Sequence, residues 1–224
     1  IVMQGVFLDR ASLDNGDLDF SSLDALLPHL RYYPATAPVE VAARIKNAEV
    51  VISNKVVLDT DALLGATPLQ LICIAATGVN NVDRDIATAQ GITVCNCQGY
   101  GTPAVVQHVF ALLLSLVTHL PEYRQAVRDG RWQHSNRFCL LDFPIYELAG
   151  KTLGIVGYGE LGQGVARIAE AFGMRVLIAQ RPGTVETRED RWPLPMLLPQ
   201  VDVLSLHCPL TPATRGLKIG RAHV

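Results

Sequence analysis

The sequence predicts an α/β protein with parallel, helix-covered sheets, and three observations carry that prediction. Short apolar runs such as Val50–Ser53 and Ile92–Asn96 alternate with amphipathic stretches along the first hundred residues. Leu69–Ala76 is apolar almost throughout, as a parallel strand covered on both faces requires. Leu153–Val156 breaks into Gly157-x-Gly159-x-x-Gly162 and runs on into the amphipathic stretch Val165–Phe172. Strand, glycine turn and helix in that order are the context of a dinucleotide fingerprint. At 224 residues there is room for one large domain or two modest ones. The pattern changes character after residue 99, which divides the chain into 1–99 and 100–224.

Composition narrows the function. Apolar residues make up 49% of the chain, enough for full cores, and the net charge is -2. No basic field is present to draw nucleic acid. The longest near-continuous apolar run, Val109–Val117, is far short of the ~20 residues of a membrane helix. The first residues, Ile1–Asp9, lack a basic segment and a cleavage site, so they read as a buried strand and not as a signal peptide. Five cysteines, an odd number spread along the chain, suit a reducing cytoplasmic setting better than a disulfide framework.

In order, the first part reads as a strand at Val6–Asp9, a helix over Leu23–Leu30 and a second strand from Tyr32–Tyr33. A helix over Val39–Ala48 precedes the strand Val50–Ser53, and a short helix, Asp59–Gly65, precedes the strand Leu69–Ala76. A helix over Val82–Ala89, stopped by Gly91, leads to the strand Ile92–Asn96. Thr102–Pro103 then opens a long helix to about Leu120, with proline at the first helical position. Its core, Val105–Val117, is apolar nearly all round, which predicts burial on every side, between domains or subunits. Glu122–Trp132 extends the helical material to a stop at Asp129–Gly130, and Gln133–Leu148 is irregular. After the fingerprint helix come a strand at Val176–Ala179, a polar loop from Pro182 to Arg191, a helical turn at Leu194–Leu198 and a third strand, Val201–Leu206. These make a βαβ(α)β unit, half of a dinucleotide fold.

The fingerprint supplies its own chemistry. Gly157 permits the tight turn, Gly159 lets the backbone approach a pyrophosphate, and Gly162 lets helix and strand pack closely. The loop therefore places Tyr158, Glu160 and Leu161 at a cofactor, with the phosphates on the helix N-terminus. The alternative is a packing turn that binds nothing. An NAD-binding strand of this type ends in Asp or Glu, which takes the ribose 2′-hydroxyl. Here that position falls on Gln180, followed by Arg181. A neutral amide does not repel a 2′-phosphate and a guanidinium pairs with it, so NADPH, or dual use, is favoured over NADH. The alternative makes Arg181 a solvated loop residue.

Other candidates have plainer readings. His108 in the apolar helix reads as a core or interface histidine, and His119 and His134 read as surface groups near a helix end. His29 follows Pro28 in a loop, and His223 is in the tail. Cys95-x-Cys97 lacks the second pair or histidine that a four-ligand metal site needs, so no metal is expected. Cys73, Cys139 and Cys208 read as small apolar fillers. Asp83 and Asp85 are explained by helix capping, and Trp132 and Trp192 by packing.

The motifs Ala76–Thr–Gly–Val–Asn–Asn–Val–Asp83, Val105–Val–Gln–His–Val–Phe–Ala–Leu–Leu–Leu114, Glu147–Leu–Ala–Gly–Lys–Thr–Leu–Gly–Ile–Val–Gly–Tyr–Gly159 and Leu206–His–Cys–Pro–Leu–Thr–Pro–Ala–Thr214 resemble, in that order, the D-isomer-specific 2-hydroxyacid dehydrogenases. The glycerate dehydrogenase (hydroxypyruvate/glyoxylate reductase) branch is the most similar. The resemblance implies a flavodoxin-like substrate domain, then a Rossmann-type nucleotide domain, with the active site in the cleft between them. It implies a homodimer built on the nucleotide domain and the long helix, and reduction of a small 2-oxoacid by NAD(P)H. It implies substrate-carboxylate contacts at Thr77, Gly78 and Val79, with Asn54 facing the same cleft. It adds Thr102, His207, Cys208, Pro209 and Thr214 to the cofactor contacts.

The family's arginine, glutamate and histidine, which hold the substrate and move its proton, belong to a part of the nucleotide domain beyond Leu217. Nothing that follows matches their motifs, and Lys218–Val224 reads as a foreign tail. No catalytic residue is therefore expected in this chain, which reads as an incomplete, inactive form of the enzyme. The alternatives are a non-catalytic nucleotide-binding dimeric regulator, a family member acting on another 2-oxoacid, or another Rossmann enzyme with a divergent base. A half sheet is also expected to leave the inner edge of the fingerprint strand unpaired, and so prone to aggregation.

Overall fold

A computed structural model describes residues 3–181, 183–184 and 188–217. The proposed foreign tail, residues 218–224, lies outside them. The chain forms two compact units, 1–99 and 100–224.

The first unit is a five-stranded parallel sheet in the order β2-β1-β3-β4-β5. Its strands are β1 (Gln4–Phe7), β2 (His29–Tyr32), β3 (Val50–Ser53), β4 (Leu71–Ile74) and β5 (Thr93–Asn96). Four short helices connect them: α1 (Ser21–Leu26), α2 (Val41–Ile45), α3 (Thr60–Leu64) and α4 (Arg84–Ala89). This is the flavodoxin-like strand order. Strand β3 shows why its sequence is wholly apolar. Val51 enters the core that holds Leu8, Ile45, Leu63 and Ile72, while Val50 and Ile52 enter a second core with Phe7 on the other face. Asp59 and Asp83 cap α3 and α4 by accepting the N–H groups of Ala62 and Ile86. The helical pattern over Leu23–Leu30 is cut short, since α1 ends at Leu26 and Leu30 is a strand residue opposite Gly5. Pro28 disfavours helical backbone at Leu27, and the chain turns there into β2.

The second unit begins with α5 (Thr102–Val117) and α6 (Leu120–Arg128). The expected single helix to Leu120 is interrupted. His119 adopts left-handed backbone with φ 49° and the two helices meet at 60°. Pro121 has no N–H to give to Val117, so the first helix cannot continue through it. Within the second unit α5 buries one face. Val106, Phe110 and Leu113 are buried, but Leu112 is 54% and Leu116 61% exposed. The inner face packs on α7 (Glu160–Ala171), where Phe110 stacks on Phe172. Gly164 lets the helices approach, since a Cβ there would lie 2.7 Å from Val106 Cγ2.

The three-stranded parallel sheet of this unit has β6 (Thr152–Val156) between β7 (Arg175–Ile178) and β8 (Val203–Leu206). The fingerprint strand β6 is therefore paired on both sides, and the unpaired inner edge expected for it is not there. The reason lies in the polar loop. Trp192 makes one parallel bridge with Ala179 beyond β7, so the third place of the dinucleotide order is reduced to a single residue. Val203–Leu206 takes the fourth place, beside the fingerprint strand. A short helix, α8 (Leu194–Leu197), connects them and covers Gly154, whose Cβ would sit 2.8 Å from Leu197 Cδ2.

Candidate cofactor site

The three strands of the second unit end at one cavity of about 570 Å³. Gly157, Tyr158 and Gly159 line it after β6, Ala179, Gln180 and Arg181 after β7, and His207, Cys208 and Pro209 after β8. A doubly wound sheet binds its ligand in this place, outside the carboxyl ends of its strands.

The sequence folds this way locally because the turn tolerates no side chain. Gly157 has φ 96°, and a Cβ on it would lie 2.4 Å from the backbone nitrogen of Cys208. A Cβ on Gly162 would lie 2.2 Å from the carbonyl oxygen of Gly157. Gly159 differs: a Cβ there meets nothing within 4 Å. That open space is where the backbone can receive a bulky anion, and the site fits a dinucleotide on this ground. Gly159 also precedes the first turn of α7, whose free N–H groups and dipole favour phosphate.

The end of β8 is pinned to the fingerprint strand by the His207 N–H, which donates to Val156 O at 2.7 Å. The His207 ring pairs with Ser205, Nε2 to Oγ at 2.8 Å. Burial pushes its pKa below the ordinary 6.5, so the ring is neutral at pH 7. Thr214 organises the following loop: its Oγ1 donates to Pro209 O at 2.6 Å and accepts from the Thr211 N–H at 2.7 Å.

Of the residues anticipated at the cofactor, Gly157, Tyr158, Gly159, Gln180, Arg181, His207, Cys208, Pro209 and Thr214 share this cavity. Glu160, Leu161 and Gly162 are in the first turn of α7, outside its lining. Thr102, at the start of α5, reaches the same turn by donating to Glu160 Oε1 at 2.7 Å. Sequence reasoning missed Thr184, Arg188, Arg191 and Thr211, which also line the cavity. Arg191 carried no local signal, because only the Trp192 bridge brings it to the end of β7.

The anticipated substrate residues lie in the first unit. Asn54 is buried: its N–H donates to Asp9 Oδ1 at 2.9 Å and its Nδ2 to Ser12 Oγ at 3.0 Å. Thr77 and Gly78 are exposed beyond β4, and Val79 is half-buried against the core. Asn96 Nδ2 donates to Thr77 O at 2.8 Å and fixes the loop. Among the described residues no acceptor takes the N–H of Thr77, Gly78 or Val79.

Fold and cavity define a dinucleotide-binding α/β protein. A sequence model described as "D-isomer specific 2-hydroxyacid dehydrogenase, NAD binding domain" matches residues 110–222. The chain is 42% identical over 217 residues to a glycerate dehydrogenase of Methylorubrum extorquens, covering 95% of this chain and 65% of that one. It is 39% identical over 220 residues to a hydroxypyruvate reductase of Blautia hydrogenotrophica, covering 96% and 68%. Among solved structures, a D-lactate dehydrogenase from Aquifex aeolicus complexed with NAD and lactic acid superimposes with TM-score 0.77 at 29% identity, covering 94% and 62%. The chain belongs to the D-isomer-specific 2-hydroxyacid dehydrogenase family. It spans about two thirds of the length of these relatives. The family match continues past Leu217 into the residues read above as foreign.

Proposed function

We propose that this chain is the substrate-recognising and cofactor-binding part of an NADPH-preferring reductase of hydroxypyruvate or glyoxylate. The observation that carries the reading is the single cavity joining the fingerprint turn, Gln180–Arg181 and His207–Pro209. Relatives named glycerate dehydrogenase and hydroxypyruvate reductase support the substrate class. When bound, the nicotinamide supplies the hydride. The residues of this chain hold it: Gly159 and the α7 N-terminus take the pyrophosphate, and Arg181 takes the ribose 2′-phosphate. The free N–H groups of Thr77, Gly78 and Val79 take the substrate carboxylate, as an anion-binding nest does.

The reading assigns binding and not turnover to these 224 residues. Among the described residues, His207 is the only histidine lining the cavity. It is neutral and bonded to Ser205, so it is not poised to give a proton. The second copy of a homodimer covers the open face of α5 around Leu112 and Leu116. Five free cysteines fit a reducing, cytoplasmic setting.

The test is a fluorescence titration of the chain with NADPH and NADH, then absorbance at the reduced nicotinamide band with hydroxypyruvate and with glyoxylate. Tighter binding of NADPH without oxidation is expected. Absence of binding sinks the whole reading, and turnover sinks the assignment of binding alone. In a form extended to the length of the relatives, kcat/KM with hydroxypyruvate should favour NADPH, and Arg181→Ala should remove that preference. Leu116→Glu should lower the mass in sedimentation from dimer to monomer.

A further inference from the structure

The segment returning to β7 carries an arginine whose hydrogen bonding its described neighbours do not complete. Trp192 is pinned beside the end of β7: its N–H donates to Ile178 O and its carbonyl accepts from Gln180 N, both at 2.8 Å. The bridge fixes the preceding residue, Arg191, at the strand tip, where it lines the same cavity as Gln180 and Arg181. The Arg191 guanidinium lies over the Tyr158 ring, 4.7 Å from its centroid. Tyr158 belongs to the fingerprint turn, so the cation is held between the turn and the strand tip.

The side chain is only 15% exposed. Its buried Nε–H finds no hydrogen-bond acceptor among the described residues. Asp190 Oδ2 makes an ion pair with it at 3.3 Å, outside donor geometry, and Arg188 shares the carboxylate, donating through Nε at 3.1 Å and Nη2 at 3.3 Å. A guanidinium taken out of water and left with an unmet donor is unfavourable unless a ligand completes it. Its fork matches a phosphate in bidentate fashion, and the aromatic platform keeps the plane of the fork fixed.

We propose that Arg191 is a specificity-determining residue, a second guanidinium that joins Arg181 in holding the ribose 2′-phosphate of NADPH. The proposal rests on the NADPH reading above. Arg181 approaches from the end of β7 and Arg191 from the bridge beside it, so the two meet the phosphate from different backbone segments. Arg188 neutralises Asp190, which would otherwise oppose the bound phosphate.

The test uses 2′,5′-ADP and 5′-AMP, which differ by that phosphate alone, in calorimetric titrations of the chain and its variants. The unaltered chain should bind 2′,5′-ADP at least about tenfold more tightly than 5′-AMP. Arg191→Gln keeps the buried stem and should reduce that preference to about twofold, with 5′-AMP affinity unchanged. Arg191→Lys keeps the charge without the fork and should fall between; it decides the matter if the glutamine variant does not fold. No preference in the unaltered chain overturns the NADPH reading and this inference with it. A preference kept in both Arg191 variants but lost in Arg181→Ala overturns this inference alone. Equal weakening of both ligands makes Arg191 an adenine-stacking residue and also overturns it.

Discussion

Thr102 Oγ1 donates to Glu160 Oε1 at 2.7 Å and ties the first residue of α5 to the first residue of α7. The carboxylate thus stands at a helix N-terminus, where the dipole favours it and where a pyrophosphate is expected to bind. On the proposed reading, carboxylate and pyrophosphate would compete for one place. Glu160→Gln keeps the oxygen that accepts from Thr102 and removes the charge. It should tighten NADPH binding about three- to tenfold at low salt and less at high salt. It should also lower stability by about 0.3–1 kcal/mol through the weaker dipole interaction. Calorimetric titration and thermal melting read both effects. Unchanged affinity would mean that the carboxylate does not face the phosphates.

The three fingerprint glycines should separate into two kinds. Gly157→Ala and Gly162→Ala drive a Cβ into backbone, at 2.4 Å from Cys208 N and 2.2 Å from Gly157 O, where neither neighbour can yield cheaply. Each should lower stability by more than about 2 kcal/mol and abolish binding with it. Gly159→Ala meets nothing within 4 Å, so its melting temperature should stay close to that of the unaltered chain while NADPH affinity falls. If Gly159→Ala binds normally, the pyrophosphate does not approach this part of the turn.

Gln180 is half-buried at the tip of β7, with its N–H held by Trp192 O at 2.8 Å. The side chain is therefore free to meet the ribose while the backbone is fixed. Gln180→Asp should raise NADH affinity by pairing with the 2′-hydroxyl and weaken NADPH by repelling the 2′-phosphate. Titrations with both cofactors should show the ratio shift by about tenfold or more towards NADH. A ratio that stays put would remove this residue from cofactor choice.

His207 should make the second unit acid-sensitive. Burial pushes its pKa below 6.5, so the folded chain takes up its proton at lower pH than the unfolded chain does. As pH falls below 6.5 the unfolded state binds the proton first, and stability declines until the folded ring is protonated too. Above 6.5 both states are neutral and this contribution does not vary. Melting temperature measured from pH 8 to pH 5 should drop in the acid range for the unaltered chain. His207→Gln should flatten that part of the profile.

Much of the fold was legible because its signals are local. Leu69–Ala76 announced a two-sided strand, and β4 occupies its centre with cores on both faces. The glycine turn announced its neighbours, and the space each glycine leaves shows why. What the sequence hid depends on partners distant in the chain. The interruption after Val117 turns on Pro121, which cannot donate the hydrogen bond a helix needs there and of which the apolar run Val105–Val117 gives no sign. The place of Val203–Leu206 beside β6 depends on Trp192, a strand reduced to one bridge that no periodicity reports. Arg191 was hidden for the same reason: it stood in a polar loop, and only the bridge brings it to the strand tip.

The Asp202 carboxylate accepts the Thr152 N–H at 2.8 Å, joining the starts of β8 and β6 across 50 residues of chain. The cavity has a wall from each of the three strand ends, so it is complete only after that long loop closes. Loop closure of this kind comes late, after local turns and helices have formed. A bound dinucleotide therefore grips contacts that assemble last on folding and must break first on unfolding. It should slow unfolding of the second unit while leaving its folding rate nearly unchanged, so the cofactor lengthens the lifetime of the fold that receives it.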